Sequence, residues 1–478
     1  MPPPGTGPTA IVPPDLLPPG LAVATAVAAE HLRAHGIGPG DRVVIDAPAR
    51  VRWSVLPHLL AVDRAGAAAL VADPGWSDRE RAAVLTDTAP SRVLDVSTAG
   101  TGSGTSTSTG TSTGTETSTG TSTETSTPAR PEPGQPRPTG PRDQLDGTDP
   151  FLLPTTSGST GPPTVLARTR DSWLIGFDVL GPLPGPVLVP GPPSSTLYLF
   201  GALHALHHGL RLVTTDRFDP ADLPAGGSVH LVPALLSTLL DDRDRHPERP
   251  APAVIVCGGA HVAPALRERC ARLLPGTVLI EYYGSAEHSL IALRRDAGPL
   301  RAVPGVRLAV HDGVLWVDSP QTVLGRLRDG VLQPIGPGPS TVGDRADLGT
   351  DGALTVHGRA ATTITSGGTL VAVEEVEQVL RGVPGVADVV VSGTPHPSLG
   401  TLVTAVVEAT DGVAPSRRAL RAAVRTALSP AKRPRRWLLV PALPRLGSGK
   451  PARSVIDDAL RDGTRGTRPF PEPSGGRP

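Results

Sequence analysis

The chain has 478 residues, and 45 basic side chains balance 45 acidic ones, so its formal net charge is zero. That length calls for two or more domains. The charge balance argues against nucleic acid or an anionic membrane as the main partner, and no run approaches the roughly 20 apolar residues of a membrane span. From the N-terminus, residues 1–20 are Pro-rich, lack the basic and apolar regions of a secretory signal, and read as disordered. Leu21 to Ala34 has helical periodicity with a stop at Gly36. Val43-Val44-Ile45 reads as a short buried strand, Val51 to Ala65 as a helix, and Ala67 to Ala72 as a strand. Ser77 caps a further helix with Glu80 three residues on, and Val93-Leu94 is again a strand. This alternation predicts a layered α/β domain.

Residues 98–148 break the pattern. Thr101 to Thr127 is almost entirely Thr, Ser and Gly, and Ala129 to Arg142 is Pro-rich. Neither can bury apolar surface, so a disordered insertion within the first domain is expected. Order resumes at Phe151, and Val254–Val256, Val278–Ile280 and Leu315–Val317 are the clearest later strands. After Arg359 a small α+β unit is expected: a helix Glu374–Leu380, strands Val386–Val391 and Leu402–Glu408, and a helix Ser416–Leu428. The expected boundaries are 21–358 for the large domain, 359–462 for the small one, and 463–478 for a disordered tail. Cys257 and Cys270 fit no zinc or redox spacing and read as buried, reduced thiols of a cytoplasmic protein.

Four segments carry residue types suited to nucleotide chemistry. The first is Thr155-Thr156-Ser157-Gly158-Ser159-Thr160-Gly161, after the apolar Phe151-Leu152-Leu153. Glycine lets backbone approach a phosphate, and N–H groups with hydroxyls form an anion nest; the same run also fits a flexible turn. The second, Glu281-Tyr282-Tyr283-Gly284-Ser285-Ala286-Glu287, follows a strand. Loops at strand carboxyl ends are where open α/β sheets bind ligands. An aromatic offers a face for a base and a carboxylate suits Mg²⁺, yet an ordinary strand exit with a surface Glu fits as well. His288 beside it reads as a surface histidine more readily than as a site group.

In the third segment Gly343-Asp344 and Gly358-Arg359 flank Asp351-Gly352, a hairpin signal. An acid there is able to hold ribose hydroxyls, although an isolated Gly-Asp is more often a plain loop. The fourth is Leu443-Pro444-Arg445-Leu446-Gly447-Ser448-Gly449-Lys450, a glycine-rich loop bearing one lysine in a chain with very few. An ammonium there would let two anions approach each other; a solvated surface lysine is the alternative. Cys257-Gly258-Gly259-Ala260 is a glycine turn after a strand, and Tyr198 to Leu212 resembles a helix that lines a ligand pocket. In that helix His204, His207 and His208 suit packing better than a metal site, because no downstream ligands follow.

In this order and spacing the segments resemble the adenylate-forming superfamily, which includes acyl-CoA synthetases, adenylation domains of peptide synthetases, and luciferases. The first matches T-S-G-[ST]-T-G-x-P-K, the second Y-G-x-[TS]-E, and the fourth L-P-[RK]-T-x-[ST]-G-K. The resemblance implies that Thr155, Thr156, Ser157, Gly158, Ser159, Thr160 and Gly161 grip the β- and γ-phosphates of ATP. It implies Gly259 in a turn near acid and adenine, Tyr283 near adenine, Gly284 and Ser285 in the nucleotide turn, and Glu287 on Mg²⁺. Asp344 then binds ribose, Arg359 reaches the nucleotide from the domain boundary, and Lys450 is the adenylation lysine. Thr164, Ala286, Ala361, Thr365 and Leu446 depart from the pattern, standing for a lysine, a hydroxyl residue, an acid, a lysine and a threonine.

The implied fold is a large layered α/β domain with a small mobile α+β lid. The implied reaction joins a carboxylic acid to ATP, giving acyl-AMP, and passes the acyl group to CoA. Two other readings stand beside it: loading of a carrier protein's phosphopantetheine arm, and a degenerate nucleotide-binding protein that lacks turnover.

Overall fold

The structure, a computed structural model, describes residues 10–76, 78–96, 149–156, 163–215, 217–260, 262–359, 363–366, 369–396, 400–410, 413–428, 430–446, 449–461 and 468–469. The expected insertion, the Ser77 cap, Ser157 to Gly161 and Ala361 lie outside them, as does almost all of the expected disordered tail. The expected disordered N-terminus is described from residue 10 on and is ordered there: Ile11 and Val12 are buried, and Ile11 N donates to Asp63 Oδ2 at 2.8 Å.

Short, apolar strands dominate the large domain. Its first sheet runs, edge to edge, through Val331–Pro334, Gly325–Arg328, Thr164–Thr169, Pro150–Leu152, Ala68–Val71, Arg42–Asp46 and Arg92–Asp95. The last four are mutually parallel, with Leu152 opposite Ala69 and Val44 opposite both Leu70 and Val93. Ala68–Val71 is buried at every position, as a parallel strand covered on both faces must be. Phe151 of the sheet packs with Leu32, Leu59, Trp173, Phe177 and Leu203 in the core beside it, the latter from helices Pro19–Ala34, Val55–Arg64, Arg170–Leu180 and Thr196–His207.

The second sheet runs through Arg301–Ala302, Ser289–Arg295, Val278–Ser285, Val254–Cys257, Ser228–Leu231, Val187–Val189 and Leu212–Thr214. Five of these strands are parallel, and the first two join antiparallel. Helices Pro233–Arg245 and Pro264–Leu273 pack on it through Leu236, Leu240 and Cys270. Cys257 and Cys270 are both free and buried, and burial pushes both thiols up, so they stay protonated and inert. A third, antiparallel sheet contains Arg307–His311, Val314–Asp318, Asp344–Leu348 and Leu354–Arg359.

The C-terminal domain is smaller. The hairpin Val386–His396 and Gly400–Ala409 pairs onward, in parallel, with Arg436–Val440. Helices Val373–Arg381 and Arg417–Ala427 cover it through Val376, Leu380, Leu420 and Val424. Ser416 caps the second helix, its Oγ accepting from Ala419 N at 3.1 Å, one of the exposed donors a helix start must satisfy.

Two elements differ from the sequence reading. Tyr198 to Leu212 is not one helix. The helix ends at His207, Gly209 turns the chain at φ +65°, and Leu212–Thr214 is a strand. The strand beginning at Val278 does not stop at Ile280 but continues through the Tyr-Gly segment to Ser285.

Candidate active site

The site is built from the ends of four hairpin-like turns. In the first, Thr155–Thr156 pairs antiparallel with Thr164–Thr169, Thr156 lying opposite Thr164. The Ser/Thr/Gly run therefore connects two paired strands, although Ser157 to Gly161 lie outside the described residues. Thr155 and Thr156 are half-buried at its entry. On leaving, the strand reaches Thr169, whose side chain accepts from Ser172 N at 3.3 Å and starts the helix Arg170–Leu180.

In the second turn, Val278–Ser285 folds back against Ser289–Arg295, with Gly284 opposite Leu290 and an irregularity in register between Tyr283 and Gly284. A Cβ on Gly284 would lie 2.2 Å from Ser289 O, so only glycine lets the two strands close here. The tip is Ala286-Glu287-His288. Val323 N donates to Glu287 O at 2.8 Å, and Glu287 Oε2 is buried with no hydrogen-bond partner among the described residues.

His288 is not on the surface, contrary to the sequence reading: it is 1% exposed. Its Nδ1 lies 3.2 Å from Ser285 Oγ and its Nε2 2.7 Å from Ser340 Oγ. Burial first, and the Arg168 charge second, push its pKa down to about 4, so the ring is neutral near pH 7.

The third turn joins Asp344–Leu348 to Leu354–Arg359, and the register sets Asp344 directly opposite Arg359. The Asp351-Gly352 turn forms as the sequence suggested, with Gly352 at φ +80°. Asp344 is buried, and the Tyr283 hydroxyl donates to its Oδ2. Two segments read separately from the sequence are thus in contact.

Lys450 comes from the fourth turn. Leu446 N donates to Lys450 O at 2.8 Å, Arg445 bridges to Pro451, and Gly449 sits at φ +82°. Arg445 clamps the loop: it donates to Asp388 Oδ2 at 3.0 Å, Gly449 O at 3.1 Å and Glu408 Oε2 at 2.8 Å. The chain has two lysines, and Lys432 is held by Glu375 at 2.6 Å.

Lys450 instead lies across the glycine turn of the second sheet. A Cβ on Gly259 would be 3.5 Å from Lys450 Cε, 3.6 Å from Val232 Cγ1 and 3.7 Å from Leu197 Cδ1. Gly258 next to it is covered by the Tyr282 ring, which a Cβ there would approach to 2.3 Å. The C-terminal lysine and the turn that follows Val254–Cys257 therefore share one place.

A family model described as AMP-binding enzyme matches residues 22–325, and one for the AMP-binding enzyme C-terminal domain matches 375–450, ending on that lysine. The chain belongs to the AMP-binding enzyme family. It is 27% identical over 348 residues to an uncharacterized acyl-CoA ligase, YhfT of Bacillus subtilis, an alignment that covers 67% of this chain and 71% of that one. It is 28% identical over 480 aligned positions to a Streptomyces salicylyl-CoA synthase / salicylate adenylyltransferase, covering 89% and 86%. Among solved structures, a variant of E. coli MenE with bound OSB-AMS superposes with a TM-score of 0.73 at 20% identity over 92% of each chain. ATP-bound MatB from Rhodopseudomonas palustris gives 0.71 at 21% over 93% of each. At such identities these structures establish the adenylate-forming fold.

Within that family frame, the predicted Tyr283, Gly284, Ser285, Glu287, Asp344 and the backbone of Arg359 gather around the second and third turns, and Gly259 and Lys450 meet at the fourth. Sequence reasoning missed Arg168, fully buried behind the second turn, and Arg445. The sequence offers little signal for Arg168, which directly follows the apolar run Val165-Leu166-Ala167 and precedes the polar Thr169-Arg170-Asp171. The histidines of Thr196–His207 do pack: His204 is buried and its Nε2 donates to Gly181 O at 2.9 Å. Among the described residues no group of three or more His, Cys, Asp or Glu side chains is arranged to hold a metal, and no helix is long and apolar enough to cross a membrane.

Proposed function

We propose that the protein activates a carboxylic acid with Mg-ATP and transfers the acyl group to a thiol, that of CoA in the first instance. The observation that carries this reading is Lys450 lying on the Gly258-Gly259 turn. An adenylating site must bring a carboxylate and a triphosphate together, and a cation on a side-chain-free turn lowers the repulsion between them. In the first step an oxygen of the substrate carboxylate attacks the α-phosphorus and the bond to pyrophosphate breaks, leaving acyl-AMP. In the second the thiol sulfur attacks the acyl carbonyl, its proton leaves, and AMP departs. No covalent enzyme intermediate is needed, so catalysis is positioning and charge stabilisation.

The residues divide that work. Thr155 and Thr156, with Ser157, Gly158, Ser159, Thr160 and Gly161, would cradle the outer phosphates. Tyr283 would face adenine, Gly284 and Ser285 admit the nucleotide, and Asp344 and Arg359, opposite each other in register, would take ribose and phosphate. Glu287 fits a Mg²⁺ ligand: its Oε2 is buried without a protein partner, and Mg²⁺ is usually held by one or two carboxylates together with substrate phosphates rather than by a protein cage. When bound, the ion neutralises phosphate charge. Curated relatives named as CoA ligases, among them medium/long-chain-fatty-acid–CoA ligases of Mycobacterium tuberculosis and of Mycolicibacterium smegmatis, support CoA as acceptor.

Pyrophosphate release from Mg-ATP across a panel of short, long and aromatic acids, with and without CoA, tests the proposal. Acid-dependent release with acyl-CoA detected by mass supports it and identifies the acid class. Release without acyl-CoA would move the acceptor to a carrier protein. ATP binding without release for any acid would mean that Thr164 and Ala361 mark a protein that has lost turnover.

A further inference from the structure

Arg168 stands on Thr164–Thr169, the outgoing strand of the phosphate-loop hairpin. Its side chain is among the largest that are fully buried, at 1% exposure. Among the described residues it forms no ion pair, and its hydrogen bonds go to Ala286 O at 2.6 Å, Gln321 O at 2.8 Å and Ser172 Oγ at 3.1 Å. Burial pushes its pKa down to about 9, and the charge that opposes this is Glu287. A buried guanidinium without a bonded carboxylate is costly, and an apolar side chain of similar volume would fill the space more cheaply. Packing alone gives no reason for an arginine here.

What it holds gives one. Ala286 is the residue before Glu287 at the tip of the second hairpin. Glu287 O accepts from Val323 N at 2.8 Å, and the loop bearing Gln321 and Val323 is tied back to the Arg168 strand by Leu324 N donating to Ala167 O at 2.9 Å. The tip is therefore gripped from both sides by segments that Arg168 joins, while Glu287 Oε2 remains buried without a partner.

We propose that Arg168 is a positioning residue that locks the Glu287 hairpin to the phosphate-loop hairpin and presets the Glu287 carboxylate for the divalent cation carried by the nucleotide. The inference rests on the role proposed above for Glu287. Supporting groups behind a metal ligand typically change metal affinity by about 10- to 100-fold when removed. The planar guanidinium also reaches three acceptors at once, whereas a lysine ammonium keeps the charge but not the fork. Arg168→Lys is therefore a partial replacement and Arg168→Met a full loss.

The test is Mn²⁺ binding to the full-length protein with a non-hydrolysable ATP analogue, read from the EPR signal of free Mn²⁺. Wild type, R168M, R168K and E287Q are compared, with melting temperatures alongside. The inference expects Mn²⁺ binding weakened ~10-fold or more in R168M and E287Q, with R168K in between. Wild-type Mn²⁺ affinity in folded R168M, with only a lower melting temperature, makes Arg168 structural and overturns the inference. Weak binding in R168M beside wild-type binding in E287Q overturns the Glu287 role, and this inference with it. Should R168M fail to fold, R168K decides: loss of Mn²⁺ affinity at near-native melting temperature supports the inference, and unchanged affinity overturns it.

Discussion

The Tyr283 hydroxyl donates to Asp344 Oδ2, which joins the second hairpin to the third across 61 residues of sequence. The ring thereby orients a buried carboxylate whose own strand places it opposite Arg359. Tyr283→Phe keeps the aromatic face and removes the hydroxyl that makes this bond. Hydrogen bonds to charged groups contribute about 1.5–3 kcal/mol, so KM for ATP should rise roughly tenfold or somewhat more, with a smaller change in kcat. Steady-state pyrophosphate release at varied ATP measures this. An unchanged KM would mean that Asp344 keeps its place without the phenol.

Lys450 should be needed for chemistry rather than for holding ATP. Removing one preorganised charge donor from a site of this kind costs about 100- to 1,000-fold in kcat. Lys450→Ala should therefore lose acid-dependent pyrophosphate release by that order, while a fluorescent ATP analogue binds within about twofold of wild type. Full turnover in the alanine variant would remove the observation on which the proposed function stands.

Much of this architecture was legible. The parallel strands are short apolar runs between glycine, proline and helix signals, and Val254–Cys257, Val314–Asp318 and Val373–Arg381 lie within a residue or so of where the pattern put them. The misses have separate causes. The resemblance to a pocket-lining helix runs Tyr198 to Leu212 together, and Gly209 in the left-handed region is the break before the strand Leu212–Thr214. The segment around Gly284 looked like a loop because its small residues weaken a strand signal; it stays in the ladder because glycine permits the close approach to Ser289. His288 is buried because Ser285 and Ser340 satisfy its two nitrogens, and the second of these lies 52 residues away. Arg168 carries the same lesson, since its acceptors lie up to 153 residues distant.

Arg445 should act through the loop of Lys450. It spans Asp388 and Glu408 on the two arms of the C-terminal hairpin and reaches back to Gly449 O. Asp388 is itself tied to Arg381 at 3.0 Å, so the clamp is part of a network, where pairing is worth more than at an isolated surface site. Arg445→Ala should lower kcat for pyrophosphate release by about 10-fold, because a misplaced catalytic group loses rate steeply. KM for ATP should stay near wild type, and Arg445→Lys should recover part of the rate. A rise in KM with kcat unchanged would assign Arg445 to nucleotide binding instead.

Two buried histidines, His204 and His230, should add to His288 in making the protein acid-sensitive. His230 is 1% exposed on the strand Ser228–Leu231, and its ring lies where a Cβ on Gly201 would come within 2.8 Å. Burial pushes its pKa from 6.5 down to about 4. For His204, burial first and the nearby His230 and His208 second push it to about 3. Because the folded values lie below the unfolded one, the unfolded chain takes up protons first. The stabilisation is complete above pH 6.5 and is lost as pH falls through the window toward 4 and then 3. Each histidine adds up to about 1.4 kcal/mol per pH unit to the slope. Urea unfolding at pH 7, 6 and 5 should show stability falling across that range, above the region where carboxylates dominate, and His230→Gln should flatten the slope by about that amount per pH unit. A flat profile between pH 7 and 5 would mean that the rings take up protons in the folded protein as readily as in the unfolded chain and are not held neutral in the core.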